Sequence, residues 1–252
     1  MPYQAVTPEE NNAAWHATLR GDYAEAIQRY ESILQRTDTL GELNNCGITH
    51  LLVGNLDKAM WCFQKARAKH KPPVLVHELI GTTLWLQGKK AEACQDWAEG
   101  IHMLLRGEIT ACGIAGDAPP SLWWASAHPE FRTWRGLAVK GLRKRWRVKR
   151  VRTLEWEGPI VPYLLDIGEQ TDEILLAAAL RNDPGPIRKA RYLCDAYFYI
   201  AARALDVGDL ERYYRYLQLA VAKTSDTVEA NYQILQSEYH LALAELRNRD
   251  QS

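Results

Sequence analysis

The sequence has 252 residues, of which 31 are lysine or arginine, 31 are aspartate or glutamate and 47% are apolar. This composition is typical of a folded globular protein and excludes a disordered chain, and five cysteines are too few for a small disulfide-stapled domain. The longest segment without a charged residue, 43–56, has 14 residues, whereas a membrane-spanning helix needs about 20. We therefore expect no membrane-spanning segment and no membrane partner.

The N-terminus indicates the cellular compartment of the protein, the cysteines indicate their own burial, and the charge distribution indicates how the basic middle segment is paired. Residues 1–10 lack the basic start and the apolar run of a secretory signal, so we expect a cytoplasmic protein. The five cysteines are never spaced C-x-x-C, and we expect them to be small, buried helix residues. Segment 101–157 holds 11 basic and 5 acidic residues between two acidic flanks, which predicts either internal charge pairing or an anionic partner.

The N-terminal part contains three copies of one unit. A glycine followed five residues later by an alanine occurs at Gly21, Gly54 and Gly88, at intervals of 33 and 34 residues. In the second unit the stripe residues recur at i, i+3, i+4 and i+7 on both sides of the turn glycine, and each unit is predicted to be a helix, a turn and a second helix. Thr7 and Glu10 form a capping box that predicts the start of the first helix. Because one hairpin cannot bury its apolar stripe alone, we expect neighbouring hairpins to stack.

These units resemble the tetratricopeptide repeat (TPR) family, whose pattern is W-x-x-L-G-x-x-Y before the turn and A-x-x-x-F-x-x-A-x-x-x-x-P after it. The resemblance implies an all-α fold, a TPR-like helical-hairpin solenoid wound into a right-handed superhelix, whose role is to bind other proteins. The first unit is the least regular, as is common for a terminal repeat. The matching residues are Gly21, Tyr23, Ala26 and Tyr30, then Gly47, Gly54, Ala59, Phe63 and Ala66, then Gly81, Gly88, Ala93 and Trp97.

The rest of the chain is predicted to be an irregular middle followed by a returning repeat. Glycines and prolines concentrate at 107–121, which predicts a loop, and a Trp-rich helical stretch follows. A fourth hairpin turns at Gly208, and Asp226 with Glu229 predicts the start of a capping helix that runs to about Arg247 and seals the open end of the stack. The predicted segments are 1–106 for the TPR-like repeats, 107–186 for the irregular middle, and 187–252 for the C-terminal hairpin and capping helix.

One element of the middle segment has a more specific resemblance. Residues 156–165 read W-E-G-P-I-V-P-Y-L-L, and a short acidic helix predicted at 171–180 and a helix containing C-x-A-Y-F-Y follow. This order is similar to the C-terminal part of a group of bacterial TPR proteins, some of which are encoded beside polymorphic toxins as immunity proteins. The resemblance implies an immunity protein that binds a cognate toxin.

No motif in the sequence predicts catalysis. The sequence lacks a G-x-x-x-x-G-K-[ST] phosphate loop and the motifs H-E-x-x-H, G-x-S-x-G and G-x-G-x-x-G. The seven histidines never pair at i, i+4, and no pair of cysteines has the spacing of a zinc site. We therefore expect a protein that is not an enzyme, with no metal site and no cofactor.

The first candidate surface follows from the TPR resemblance. In that family the first helix of each repeat lines a concave groove that receives peptides or partner domains. The alternative is that the large residues at these positions pack between helices as core. The positions equivalent to the family's groove are Asn11, Trp15, Asn44, Ile48, Glu78, Thr82 and Trp85.

The second candidate surface is the basic patch, a segment at 143–152 with seven basic residues in ten. On a helix, Arg143, Arg147 and Arg150 share one face, while Trp146 points inward. Three interpretations are open: a solvated face paired with acidic neighbours, contact with an acidic protein surface, and contact with nucleic acid. Nucleic acid is the least favoured because the chain is neutral overall.

These observations predict a non-catalytic protein–protein interaction module, in its most specific form a cytoplasmic immunity protein that neutralises a bacterial toxin. One alternative is a general TPR adaptor or assembly factor that binds a peptide in the groove of residues 8–105. The other is a nucleic-acid-binding regulator that uses the basic patch. The sequence indicates neither the identity of the partner nor the oligomeric state.

Overall fold

Every secondary-structure element in the described part of the chain is helical. The computed structural model describes residues 6–69, 74–108, 118–147, 156–181, 185–222, 232 and 234–250. These residues form thirteen α-helices and one 3₁₀ helix, with no strand among them, so the all-α prediction is confirmed. None of the helices in these ranges is long and apolar enough to cross a membrane.

The chain divides into two compact units, unit 1 (Met1–Pro72) and unit 2 (Pro73–Ser252). The predicted boundaries at 106 and 186 differ from this division, because the third hairpin belongs to the same unit as the middle and C-terminal helices. The helices of unit 1 are α1 (Pro8–Arg20), α2 (Tyr23–Leu34), α3 (Leu40–Leu52) and α4 (Leu56–Arg67).

Unit 2 contains the remaining described helices. Helix α7 begins at Ala118, so the predicted loop at 107–121 is wrong for its last four residues, which are buried. Prolines are tolerated in a first helical turn, where no backbone donor is needed. The helices are α5 (Val74–Leu86), α6 (Lys90–Arg106), α7 (Ala118–Ala125), a 3₁₀ helix (Pro129–Trp134), α8 (Arg135–Trp146), α9 (Glu157–Leu165), α10 (Asp172–Ala179), α11 (Gly185–Asp206), α12 (Leu210–Val221) and α13 (Ser237–Arg249).

The four predicted hairpins are present as α1–α2, α3–α4, α5–α6 and α11–α12. The glycine in each turn has a positive φ, between 74° and 85°, and only glycine adopts this conformation without a steric penalty. The repeated glycines that defined the units are therefore required by the turns themselves.

Unit 1 is built from two hairpins that pack together through α2 and α3. The capping box is present, because the Thr7 hydroxyl accepts from the Glu10 amide and the Glu10 carboxylate accepts from the Thr7 amide. The hydroxyls of Thr18 and Thr49 form a hydrogen bond of 2.9 Å between the two hairpins. A β-carbon added at Gly47 would lie 2.3 Å from the ring of Phe63, so α3 and α4 approach each other closely at this residue.

Unit 2 is organised around a core of aromatic side chains. The rings of Trp85 and Trp124 lie 4.7 Å apart between centroids, and Trp85 and Trp97 lie 5.9 Å apart. All three indoles are at most 2% exposed. The last described helix, α13, starts at Ser237 and packs on α5, α11 and α12. The predicted helix start at Asp226 lies outside the described residues.

The four described cysteines, Cys46, Cys62, Cys94 and Cys194, are buried free thiols within helices. This agrees with the prediction that the cysteines are small core residues rather than parts of a disulfide framework. Cys112 lies outside the described residues.

The close approach at Gly47 gives a stability prediction with a control in the same helix. Gly47→Ala should lower the free energy of unfolding by about 1–3 kcal/mol, because Phe63 is fully buried and cannot move away cheaply. Gly41→Ala, whose β-carbon meets nothing within 4 Å, should be neutral or stabilising by up to about 1 kcal/mol. Denaturant titration of both variants measures this, and equal effects would contradict the packing argument.

Candidate binding surfaces

In unit 1 the predicted groove positions remain partly accessible. Asn11 and Trp15 lie on one face of α1, and Asn44 and Ile48 hold the equivalent positions on α3. Asn44 is 8% exposed, and the other three residues are half-buried. The side-chain oxygens of Asn11 and Asn44 are buried and form no hydrogen bond within the described residues. Each hairpin of unit 1 therefore presents an amide and a large apolar side chain on the same helix face. We call this the α1–α3 face.

In unit 2 the predicted groove positions are not accessible. Glu78 and Thr82 are fully buried and Trp85 is 2% exposed, which corrects the prediction that these residues line an open groove. The Glu78 carboxyl group accepts hydrogen bonds from the hydroxyls of Thr82, at 3.0 Å, and Ser121, at 2.9 Å. Helices α7 and α13 pack against α5, so the chain's own helices fill the face that the family resemblance assigned to a partner.

Glu245 attaches α13 to this covered face. Its Oε1 accepts from the indole nitrogen of Trp85 at 3.2 Å and pairs with the Lys90 ammonium group at 3.2 Å. Its Oε2 accepts from the Tyr213 hydroxyl of α12 at 3.3 Å. The last helix therefore lies between two hairpins, α5–α6 and α11–α12, and does not seal an open end as predicted.

Three carboxyl groups, those of Glu78, Asp195 and Glu238, lie inside unit 2. Glu238 accepts from the Tyr199 hydroxyl at 2.6 Å, and Asp195 accepts from the Gln236 amide at 2.9 Å. Burial raises the pKa of Glu78 to about 8 and the pKa values of Asp195 and Glu238 above their usual range, and the charge of Glu238 acts in the same direction on the other two. Neutral carboxylic acids are therefore favoured in this cluster.

The element at 156–165 also has a structural role in this region. The indole nitrogen of Trp156 donates to Asp195 at 2.9 Å, and the indole ring stacks on Tyr192 at 5.0 Å with an angle of 19° between planes. Residues 157–165 form α9, and the acidic helix predicted at 171–180 is present as α10. This element anchors the middle of the chain to α11.

The basic patch is partly described. Arg143 and Arg147 are exposed near the C-terminal end of α8, together with Lys140 and Lys144. Arg150 lies outside the described residues. Positions 140, 143, 144 and 147 share one helix face, so the described part of the patch forms a continuous basic stripe.

The inner face of α8 agrees with the prediction. Leu142 is fully buried, and the half-buried Trp146 packs against the core of unit 2. The predicted pairing of the basic middle with the acidic C-terminal third occurs outside the basic stripe. Arg132 and Arg135, which precede the stripe in the chain, both pair with Asp206.

One group of three potential metal ligands was not indicated by the sequence. His77, Asp96 and Glu99 have donor atoms within 4.8 Å of one another. His77 Nδ1 and Asp96 Oδ1 lie 2.8 Å apart, both residues are buried, and Glu99 is exposed. A histidine–carboxylate hydrogen bond between α5 and α6 accounts for this geometry, so the group by itself indicates no metal, and the absence of a metal site stays a prediction.

The comparisons with known proteins leave the family open. No protein-family model and no curated protein matches the sequence. The resemblances to TPR proteins and to immunity proteins therefore stay predictions, as do the absence of catalysis and the cytoplasmic location.

The buried Glu78 predicts a pH-dependent stability. Its pKa rises from 4.5 to about 8 on folding, so between these values the folded state holds a proton that the unfolded state has released. The free energy of unfolding should therefore fall as the pH rises through this window. Thermal unfolding at pH 6 and pH 9 should show a smaller fall for Glu78→Gln, which cannot ionise, than for the wild type.

Glu99→Gln on the exposed side of α6 is the matched control and should follow the wild type. Part of the fall should persist in Glu78→Gln, because the pKa values of Asp195 and Glu238 are also raised. Identical pH profiles for the wild type and Glu78→Gln would contradict the assignment.

Proposed function

We propose that this chain is a non-catalytic protein-binding module that uses the α1–α3 face of unit 1. The observation that carries the proposal is the pairing of a half-buried apolar residue with an amide on both helices. Because no hydrogen bond within the described residues holds the side-chain oxygens of Asn11 and Asn44, these oxygens remain available as acceptors for the backbone of a bound segment. Large aromatic residues such as Trp15 bind with little loss of conformational entropy.

The helical hairpins of both units support a TPR-like architecture in this proposal. Each has a left-handed glycine in its turn, and two of them have a glycine where the partner helix carries Phe63 or Trp97. In a solenoid of this kind the first helices of successive hairpins line the binding face. The ligand proposed for the α1–α3 face is an extended segment of another protein, whose backbone would contact the two asparagines.

A more specific form of the proposal is a bacterial immunity protein that blocks a toxin. It rests on the resemblance of the 156–165 element and on the basic stripe of α8. Arg143, Lys144 and Arg147 are exposed, whereas the arginines nearer the start of α8 are paired with Asp206. Exposed like charges on one face favour an acidic partner surface and accelerate its association.

Peptide selection from a displayed library against the purified chain tests the first proposal. Trp15→Ala should weaken binding of the selected peptides tenfold or more, the scale of a large aromatic at a contact centre. Trp61→Ala is the matched control, because Trp61 is 45% exposed on α4, outside the α1–α3 face. Equal loss in both variants, or none in Trp15→Ala, would contradict the use of this face.

Co-expression with the protein encoded next to this chain tests the immunity form. A stable complex should weaken on reversal of Arg143 and Arg147 to Glu, and it should survive reversal of the exposed pair Arg181 and Arg188. Binding of DNA or RNA that falls steeply with salt would instead favour the nucleic-acid regulator. A neighbouring gene product that does not bind would remove the immunity form and leave the peptide-binding proposal to its own test.

A further inference from the structure

A cleft in unit 1 is lined by two cysteines. The cleft has a volume of about 290 Å³ and is bounded by residues of α2, α3 and α4. Cys46 of α3 and Cys62 of α4 both line it, and both belong to the same buried cluster of unit 1. Each residue is only 1% exposed, so the cleft is the route by which a small molecule reaches either sulfur.

The close approach of α3 and α4 brings both cysteines into one buried cluster. Gly47 and Phe63 follow Cys46 and Cys62 directly, and these two residues are in contact where the helices approach most closely. Because the helices run antiparallel, Cys46 and Cys62 are then offset by two residues, about 3 Å along the helix axis, and both line the cleft. A disulfide requires α-carbons within about 7 Å of each other, a separation that only closely approaching helices reach.

The charges around the cleft distinguish the two thiols. The pKa of Cys62 is lowered because the Cys46 thiol donates to its sulfur and because Lys58 and Lys65 lie nearby. The pKa of Cys46 is raised by its bond to Cys62 and by burial. Cys62 is therefore the thiol that ionises first, and thiolates are the form that attacks oxidants.

The other described cysteines differ from this pair in their surroundings. Cys94 and Cys194 belong to the core of unit 2, and burial raises the pKa of Cys94 to about 12 and that of Cys194 well above its usual value. Neither residue lines the unit 1 cleft. They provide internal controls for any reaction that depends on the cleft and on a neighbouring thiol.

We propose that Cys46 and Cys62 are a redox-active thiol pair that small two-electron oxidants, such as hydrogen peroxide, convert into an intramolecular disulfide. The Cys62 thiolate attacks one oxygen of the peroxide, the O–O bond breaks, and Cys62 becomes a sulfenic acid as hydroxide leaves. The Cys46 sulfur then attacks the Cys62 sulfur, the S–S bond forms, and the sulfenic hydroxyl leaves as water with the Cys46 proton. In total, two thiols and one peroxide give one disulfide and two waters.

The disulfide would link α3 to α4 in the middle of unit 1. It would be a reversible modification, because thiol–disulfide exchange with a dithiol reductant restores both thiols. This proposal does not rest on the protein-binding function.

Peptide mapping of the full-length chain tests the proposal. The reduced, folded protein is treated with hydrogen peroxide, remaining thiols are blocked with N-ethylmaleimide after unfolding, and the digest is analysed without reduction. We expect a cross-linked peptide that joins Cys46 to Cys62, an intact mass lower by two hydrogen atoms, and loss of the cross-link after dithiothreitol. In Cys46→Ser, Cys62 should instead be trapped as a sulfenic acid by dimedone.

Cys94→Ser is the matched control and should form the Cys46–Cys62 link at the wild-type rate. Circular dichroism of every variant establishes that it is folded before oxidation. Recovery of both thiols of the pair in alkylated form from folded, peroxide-treated wild-type protein would overturn the proposal. A disulfide between any other two cysteines, with Cys46 and Cys62 still alkylated, would overturn it equally.

Discussion

Close contact between the two helices of each hairpin is the constraint on which the rest of the structure depends. In the second hairpin, a β-carbon at Gly47 would lie 2.3 Å from Phe63, and in the third, one at Gly81 would lie 2.2 Å from Trp97. Each glycine therefore accepts an aromatic ring from the following helix directly onto its backbone. Such packing fixes the register of a hairpin, because sliding by one residue would place a side chain where only hydrogen fits. The close approach at Gly47 also places Cys46 and Cys62 in one buried cluster.

The hairpins were predictable from the sequence because their signals are local. A glycine with positive φ in each turn and apolar residues at helical spacing on both sides are properties of single units, and all four hairpins are present. The burial of the α5 face was not predictable in this way. It depends on Ser121 and Glu245, which lie 43 and 160 residues away in the chain from the α5 residues that they contact, Glu78 and Trp85, and no local pattern indicates such partners. The start of α7 was missed because Pro119 and Pro120 are as typical of a loop as of a first helical turn.

The sequence contains a signal for the thiol pair Cys46 and Cys62 that no cysteine motif identifies. Cysteines at positions 46 and 62 have no recognised metal or disulfide spacing, so a motif search passes over them. The repeat pattern, however, places Gly47 against Phe63, and Cys46 and Cys62 lie within one helical turn of this contact on the two helices of the same hairpin. Aligning the two helices of a repeat hairpin is therefore more informative than searching for a fixed cysteine spacing. The hairpin brings two residues that are 16 positions apart in the sequence into one buried cluster.

The same register position has opposite environments in the two units. Asn11, Asn44 and Glu78 each precede the turn glycine of their hairpin by ten residues. In unit 1 the two asparagines retain unbonded side-chain oxygens, whereas in unit 2 the Glu78 carboxyl group receives the hydroxyls of Thr82 and Ser121. Both hydroxyls reach Glu78 Oε1, whereas Oε2 forms no hydrogen bond within the described residues, and the neutral acid that burial favours there needs no external cation. Because α7 and α13 cover the α5 face, the proposed recognition at this register position is assigned to unit 1.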